Sequence, residues 1–520
     1  MSDLLHRFWA RHPILRQTLL WAIPAVLFGA VLRGLMLSYL PYAYWGSDSN
    51  SYFSFAHKLL TQGYISLDEK RRFFYPILMV PVSILPGSIL RWLAWLQHGF
   101  GLLTLLPLAY AVRKSLVHWR WWIVPVTVIY AGMPVILWYE HELLGETMMF
   151  AGVVWAFAGW CAWISEERRC RAHRLFWWFF VPFTLVILTK PSARFLWPGL
   201  LLGLVAVQAW RRLARRHLVA LGLLLVMTLF VGSKKQGAWL LYVATFPLTN
   251  LETPLHREYK EEIRGRVEPL REHLDAYYLL DGPTFAFLEH PSRQDELPLF
   301  KALDKDSRLK SKIYMDLAKE AILSSPGQFL YLGAQRVIAS ANVSEFKEDR
   351  FTGEFYVERF EHFHAEALVK EKSPVRMLFA LPKGEPIEPY SEFSRRISPR
   401  PDSWMARTVQ AWVAGFERVS DLVRMPEGGP EELRSIRLAR PTWLGLWLCA
   451  GIVLALLPRY HATLGVWMMA ALSYLFGVFL FAGINPRYFG TAWPVLIPLL
   501  AVPADALVRL IVSRRERAKE

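Results

Sequence analysis

From Leu19 to Leu40 the chain runs for 22 residues with a single charge, Arg33. At about 1.5 Å of rise per residue, such a run crosses the roughly 30 Å hydrocarbon layer of a bilayer. Inside hydrocarbon, every backbone N–H and C=O must be satisfied within the protein, which leaves helices or a closed barrel as spanning structures. Similar apolar runs recur down the chain, and none alternates with period two, so the expected fold class is an all-α polytopic membrane protein. Composition agrees: of 520 residues 54% are hydrophobic, with 23 Trp and 32 Phe.

The charges between the runs set the topology. Arg7, Arg11 and Arg16 precede the first run, which has no small-residue cleavage pattern and is read as a retained span starting inside. Arg33, near its far end, snorkels outward or turns toward a polar cavity. Span two, Ser88 to Val112, ends at Arg113 and Lys114, and span three, Trp121 to Leu137, at Glu140, His141 and Glu142. Span four starts near Leu143, carries Glu146 in its first turn and stops at the charged stretch from Glu166 to Arg174. Spans five (Leu175 to Leu188), six (Phe195 to Trp210) and seven (Leu218 to Val231) follow, and spans eight to ten lie at about Trp443 to Leu457, Leu464 to Ala482 and Trp493 to Ile511. The expectation is about ten transmembrane helices with both termini cytoplasmic, divided as 1–231, a membrane domain with a first outer loop at 41–87; 232–441, an outer, mostly helical soluble region; and 442–520, a closing membrane segment. Helical periodicity in the outer region falls at Glu252 to Leu280, Lys310 to Ser325 and Pro326 to Val343.

The formal charge of +16 does not point to nucleic acid, because the basic residues cluster beside apolar runs, where they orient the chain in the membrane. The three cysteines, Cys161, Cys170 and Cys449, lie in or beside apolar segments, so the outer region has no disulfide framework or thiolate zinc site. No internal repeat of the transporter kind is present.

The first outer loop holds a lone acid, Asp48, followed by an amphipathic stretch: Tyr52, Phe55, Ala56, Leu59 and Leu60 recur at helical spacing, as in a helix lying along the membrane surface. The loop then dips back at Phe74 to Pro86, too short and proline-broken to span, as a lid or re-entrant piece. Spacing alone favours Asp48 as a helix cap, beside Ser47 and Ser49; the functional alternative is a general base toward an acceptor hydroxyl. Glu146 reads as a first-turn Glu favoured by the helix dipole, and Glu140, His141 and Glu142 as a solvated turn. Asp48, His141 and Glu142 could hold a divalent cation or zinc, but one His among acids is a weak pattern and no metal is assigned. Lys190, Arg194, Lys234, Lys235 and Arg487 read singly as snorkelling cations; together with Arg71 and Arg72 they could instead converge on a lipid phosphate.

One ordered set of motifs resembles a known family. Arg33, GSDSNSYFSFAHKLLTQGY, FFYPILMVPVSILPG, LLGETMMFAGVVWAF, TKPSARFLWPGLLLGL and INPRYFGTAWPVLIPLLA follow each other as in the integral-membrane C superfamily of glycosyltransferases. The look is closest to bacterial relatives of the protein O-mannosyltransferase and aminoarabinose transferase branch. DLAKEAILSSPGQFLYLGAQRVIAS is similar to the helix, Ser-Pro break and helix those members carry in their outer region. The resemblance implies a hexosyl- or pentosyltransferase of the bacterial inner membrane, working in cell-envelope glycan biosynthesis with its site on the periplasmic side. Its donor would be a polyprenyl-phosphate-linked sugar and its acceptor a glycan, lipid or protein. Asp48 matches the first-loop acid that the family uses in catalysis, Glu146 the glutamate that opens the fourth span, Lys190 a basic residue before proline, and Arg487-Tyr488 a late Arg-Tyr pair; Asp48 and Glu146 are the candidate catalytic residues. Arg194, Arg71, Arg72 and Lys234 would join Lys190 and Arg487 at the donor phosphate, and Tyr52, Tyr75, Glu142, His141 and Tyr488 would contact acceptor or sugar. The chain lacks a second acid next to Asp48, which leaves the use of a divalent cation open. The rival expectations are a polymerase or ligase acting on lipid-linked oligosaccharide, and a lipid or glycan transporter.

Overall fold

The computed structural model describes residues 13–45, 49–63, 74–83, 85, 88–116, 120–230, 234–272, 306–342, 389–397, 403–421, 443–482 and 489–517, and a few isolated positions between 299 and 365. These residues are overwhelmingly helical, and the only β feature among them is an isolated bridge between Tyr44 and Glu142.

In chain order the N-terminal helices are α1 (Pro13–Tyr39), α2 (Ser49–Gln62), α3 (Phe74–Ser83), α4 (Ile89–Ser115), α5 (Ile123–Gly132), α6 (Pro134–His141), α7 (Glu146–Ile164), α8 (Arg169–Thr189), α9 (Leu196–Ala206) and α10 (Arg215–Phe230). Then come α11 (Lys234–Thr245), α12 (Arg257–Glu272), α13 (Ser307–Ser324), α14 (Pro326–Asn342), α15 (Tyr390–Ile397) and α16 (Trp404–Asp421). The chain closes with α17 (Trp443–Ala455), α18 (Val466–Ala482) and α19 (Phe489–Arg517). Among the described residues, five helices are long and apolar enough to cross a membrane: Arg16–Tyr39, Glu146–Ile164, Arg169–Thr189, Pro458–Leu480 and Gly490–Arg514. The pair α5 and α6 makes a sixth if its 48° bend is one broken span. The other four expected spans fall on α4, α9, α10 and α17, which are helices that do not meet that measure.

The bend occurs where Pro134, which has no N–H, follows Met133 in extended conformation. The Gly132 carbonyl, orphaned by the break, accepts a hydrogen bond from Trp412 Nε1 of α16 at 2.7 Å. The same Trp412 ring meets Phe28 of α1 edge-on, 5.1 Å between centroids. A helix of the stretch expected to be soluble therefore packs on two apolar helices.

Glycines let helices approach closely where a side chain would intrude. A Cβ at Gly159 of α7 would come within 2.3 Å of the Trp178 carbonyl oxygen on α8, and one at Gly199 of α9 within 2.0 Å of the Met469 carbonyl oxygen on α18. The main buried core runs through these helices and continues into α1, α4 to α6 and α19. A smaller core joins α11 to α14, with Tyr242, Val267, Leu317 and Phe329 inside, and reaches Leu480 of α18. Arg336 of α14, itself buried, donates to the carbonyls of Ala244 at 2.9 Å and Phe479 at 3.3 Å, tying the end of α11 to the end of α18.

The three helical stretches expected in the outer region correspond to α12, α13 and α14. Their limits follow local chemistry. Helix α12 begins after His256, whose φ of 52° is left-handed and incompatible with continuing a helix backward. Asp306 caps α13 by accepting from the amides of Arg308 at 3.1 Å and Leu309 at 3.0 Å, and Ser325-Pro326 separates α13 from α14.

Candidate active site

The site is organised around the turn between α6 and α7, residues 140–146. Three bonds pin the first loop against it. Tyr44 N–H donates to the His141 carbonyl at 2.7 Å, Leu143 N–H donates to the Tyr44 carbonyl at 2.9 Å, and the Ser49 hydroxyl donates to the Leu143 carbonyl at 2.9 Å. Ser49 opens α2, is fully buried, and directly follows Asp48 in sequence. Asp48 itself lies outside the described residues, as do Arg71, Arg72, Arg487 and Tyr488.

Glu146 is the first residue of α7, after the N-cap Gly145, and is buried. Its Oε1 pairs with Nζ of Lys190, which follows the last residue of α8. The pairing has a local logic: the carboxylate sits at the positive end of α7, and the ammonium comes just after α8 ends, where carbonyls face outward. Tyr52 of α2 covers this place. A Cβ at Gly145 would lie 3.5 Å from the Tyr52 hydroxyl oxygen and 3.2 Å from Cγ2 of Thr189. Tyr75 of α3 packs its ring edge-on against Tyr52 at 5.2 Å. Burial holds the Tyr75 hydroxyl well above the ordinary tyrosine range, and Tyr52, Glu146 and Glu142 add to the shift. It therefore stays protonated and serves as a donor.

Beneath the turn lies a buried polar chain. Arg33 Nη2 of α1 meets Glu140 Oε1 at 2.5 Å, while its Nη1 donates to the carbonyls of Ala131 at 3.1 Å and Gly29 at 3.2 Å. Glu140 Oε2 lies 2.9 Å from His98 Nδ1, and His98 Nε2 lies 3.0 Å from His141 Nδ1. A carboxylate beside Arg33 is an acceptor, so the nitrogen of His98 that faces it carries hydrogen. A glycine makes room: a Cβ at Gly101 would fall 1.8 Å from Glu140 Oε1. Glu140 and His141 are 1% and 0% exposed, which overturns their reading as a solvated turn. The physical cause is the bend before Pro134, which turns α6 so that its last residues face α1 and α4.

The structure thus brings together Tyr52, Tyr75, Glu142, Glu146 and Lys190. His141 faces the buried chain, and Glu142 Oε2 accepts from Trp138 Nε1 at 3.0 Å. Arg194 is exposed on the turn after Lys190, with its guanidinium 5.0 Å from the Phe195 ring. Lys234 opens α11, and its side chain lies outside what is described. Among the described residues no group of three or more His, Cys, Asp or Glu side chains could hold a metal ion. Gln97 and His98, two neighbours on α4, are site residues that sequence reasoning missed. The available signal was polar side chains in mid-span, where they are costly and usually functional.

Neither a protein-family model nor a curated protein matches the sequence. Solved structures do. An oligosaccharyltransferase AglB from Archaeoglobus fulgidus, in complex with an inhibitory peptide and a dolichol-phosphate, is 13% identical with a TM-score of 0.37, covering 98% of this chain and 52% of that one. The apo form of the Archaeoglobus fulgidus oligosaccharyltransferase is 14% identical, with a TM-score of 0.37 and coverage of 96% and 52%. ArnT from Cupriavidus metallidurans, bound to undecaprenyl phosphate, is 13% identical with a TM-score of 0.31, covering 93% of this chain and 78% of that one. The chain spans about half the length of the archaeal structures.

Proposed function

We propose that the protein is a membrane glycosyltransferase that moves a sugar from a polyprenyl-phosphate donor to an acceptor hydroxyl at the outer face of a bacterial inner membrane, with both termini cytoplasmic. The observation that supports this most is the buried Glu146–Lys190 pair beneath Tyr52, beside a turn to which the flank of Asp48 is bonded through Ser49. In the proposed reaction the acceptor hydroxyl loses its proton to the Asp48 carboxylate and its oxygen bonds to the anomeric carbon. The bond from that carbon to the phosphate oxygen breaks, and the electron pair leaves on the polyprenyl phosphate. A single displacement inverts the anomeric centre.

Lys190 has three N–H donors, of which the Glu146 carboxylate takes one, so the ammonium can bind Glu146 and a phosphate oxygen together. Stabilising the departing phosphate is electrostatic work of the kind that removal of one donor weakens by about 10² to 10³ in rate. Arg487, Arg71, Arg72, Lys234 and Arg194 are the further cations proposed for the donor side. Tyr52, Tyr75, Glu142, His141 and Tyr488 are proposed for acceptor and sugar.

The test compares the wild type with Asp48→Asn, Glu146→Gln and Lys190→Met in vesicles supplied with undecaprenyl-phosphate-linked sugars, reading envelope glycolipids and glycoproteins by mass. The expected result is a sugar-sized mass gain with wild type, none with Asp48→Asn, and a loss of about 100-fold or more with the other two. Transfer by Asp48→Asn at near-normal rate removes Asp48 from the mechanism; donor movement without a glycosidic product sinks the transferase reading.

A further inference from the structure

Gln97 lies on α4, fully buried, one residue before His98. Its Nε2 donates to the Glu140 carbonyl at 3.0 Å and to the Glu142 carbonyl at 2.8 Å. Its Oε1 accepts from the Tyr75 hydroxyl at 2.5 Å. Two carbonyls can only accept, so the orientation of the amide is forced by its partners and both of its N–H groups are used. The carbonyls belong to the end of α6, where a helix leaves its last C=O groups without intrahelical donors. One side chain therefore supplies a donor to the Glu140 carbonyl and a second donor to the Glu142 carbonyl, which also accepts from Leu144 N–H at 2.8 Å, on the turn that leads to Glu146. The same side chain holds the hydroxyl of a residue on a different element.

That element, α3, is 10 residues long and contains Pro81. Ile77 and Pro81 on its outer side are exposed, while Tyr75, Met79 and Val82 face inward. It is too short to span and is fastened to the bundle by one face. A polar bond, Tyr75–Gln97, fastens it to α4.

We propose that Gln97 is a positioning residue that couples the docking of the re-entrant helix α3 to the geometry of the 140–146 turn. With Tyr75 in place, the amide is held at both ends and the turn presents Glu146 to Lys190 in one arrangement. When α3 lifts, Oε1 loses its donor and the amide is held from its Nε2 side alone, which loosens its grip on the carbonyls of Glu140 and Glu142. The kinetic consequence rests on the transferase reading above; the structural coupling does not.

Two measurements separate them. Amide hydrogen exchange of the full-length protein in nanodiscs, without any donor, compares wild type, Tyr75→Phe, Gln97→Leu and the double variant. Tyr75→Phe, which removes one oxygen and keeps the ring, should speed exchange in both 74–83 and 140–146. The double variant should exceed Gln97→Leu by little, because the link is already cut. Unchanged exchange at 140–146 in Tyr75→Phe, or additive effects in the double variant, overturns the coupling. The second measurement uses whichever undecaprenyl-phosphate-linked hexose the wild type transfers. Loss of one ordinary hydrogen bond in Tyr75→Phe should lower kcat by about two- to tenfold, and displacement of the turn in Gln97→Leu by about 100-fold, with KM for the donor within about twofold. A rise in KM for the donor with kcat unchanged in Tyr75→Phe would leave Tyr75 with only the sugar contact proposed above and overturn the kinetic role. Absence of transfer by the wild type would count against the transferase reading while leaving the exchange result to decide the coupling.

Discussion

Removing either Arg33 or Glu140 singly should unfold the bundle far more readily than removing both. The two groups are 3% and 1% exposed and 2.5 Å apart. At an effective dielectric of about 20, charges at that separation attract by roughly 7 kcal/mol. Most of this is offset by the several kcal/mol needed to take each ion out of water. Among the described residues, Arg33→Met leaves the Glu140 carboxylate with His98 as its partner, at 2.9 Å, and Glu140→Leu leaves a guanidinium with the Gly29 and Ala131 carbonyls. Each single change should cost about 3–5 kcal/mol, whereas Arg33→Met with Glu140→Leu should come within about 1 kcal/mol of wild type. The assay is equilibrium unfolding of the full chain in mixed micelles, with tryptophan fluorescence as the readout. If each single variant loses less than about 1 kcal/mol, or the double variant is as unstable as the singles, the pair is not the buried, mutually compensating unit described.

Two further perturbations probe the packing. Gly199→Ala puts a Cβ within 2.0 Å of a backbone oxygen of α18, which cannot swing aside, so it should destabilise by about 1–3 kcal/mol; Gly222→Ala on α10, with nothing within 4 Å, should be neutral or stabilise by up to about 1 kcal/mol, and the same unfolding assay compares them. Trp412→Phe keeps the ring against Phe28 but strips the donor from the Gly132 carbonyl, and should cost about 1–3 kcal/mol. Cysteine labelling at Val409, which is buried in the docked helix, should report α16 lifting from the bundle in that variant.

Much of the architecture was legible because hydrocarbon imposes a simple demand. A run such as Leu19 to Leu40 has few alternatives to a helix, and α1, α7, α8 and α19 lie where hydropathy put them. The breaks in the region expected outside were equally local: Ser325-Pro326 divides two helices through the chemistry of proline itself. Asp306 capping α13 belongs to the same class of short-range information.

The site is different. Asp48, Glu146, Lys190, Tyr52 and Tyr75 could be singled out as residues, but Glu146 facing Lys190 joins positions 44 apart, and the bond from Gln97 to the Glu140 carbonyl joins positions 43 apart. Such contacts depend on which helices become neighbours, and hydropathy is silent on that because every lipid-soluble helix is equally greasy. Gln97 and His98 went unremarked within span two, and Glu140 read as part of a solvated turn, whereas the bend before Pro134 turns Glu140 inward to meet them. The sequence by itself determined that the chain is helical, where its apolar runs start and stop, and which residues carry usable chemistry. Tertiary structure alone decided which charges meet, because partners for buried charge come from other helices.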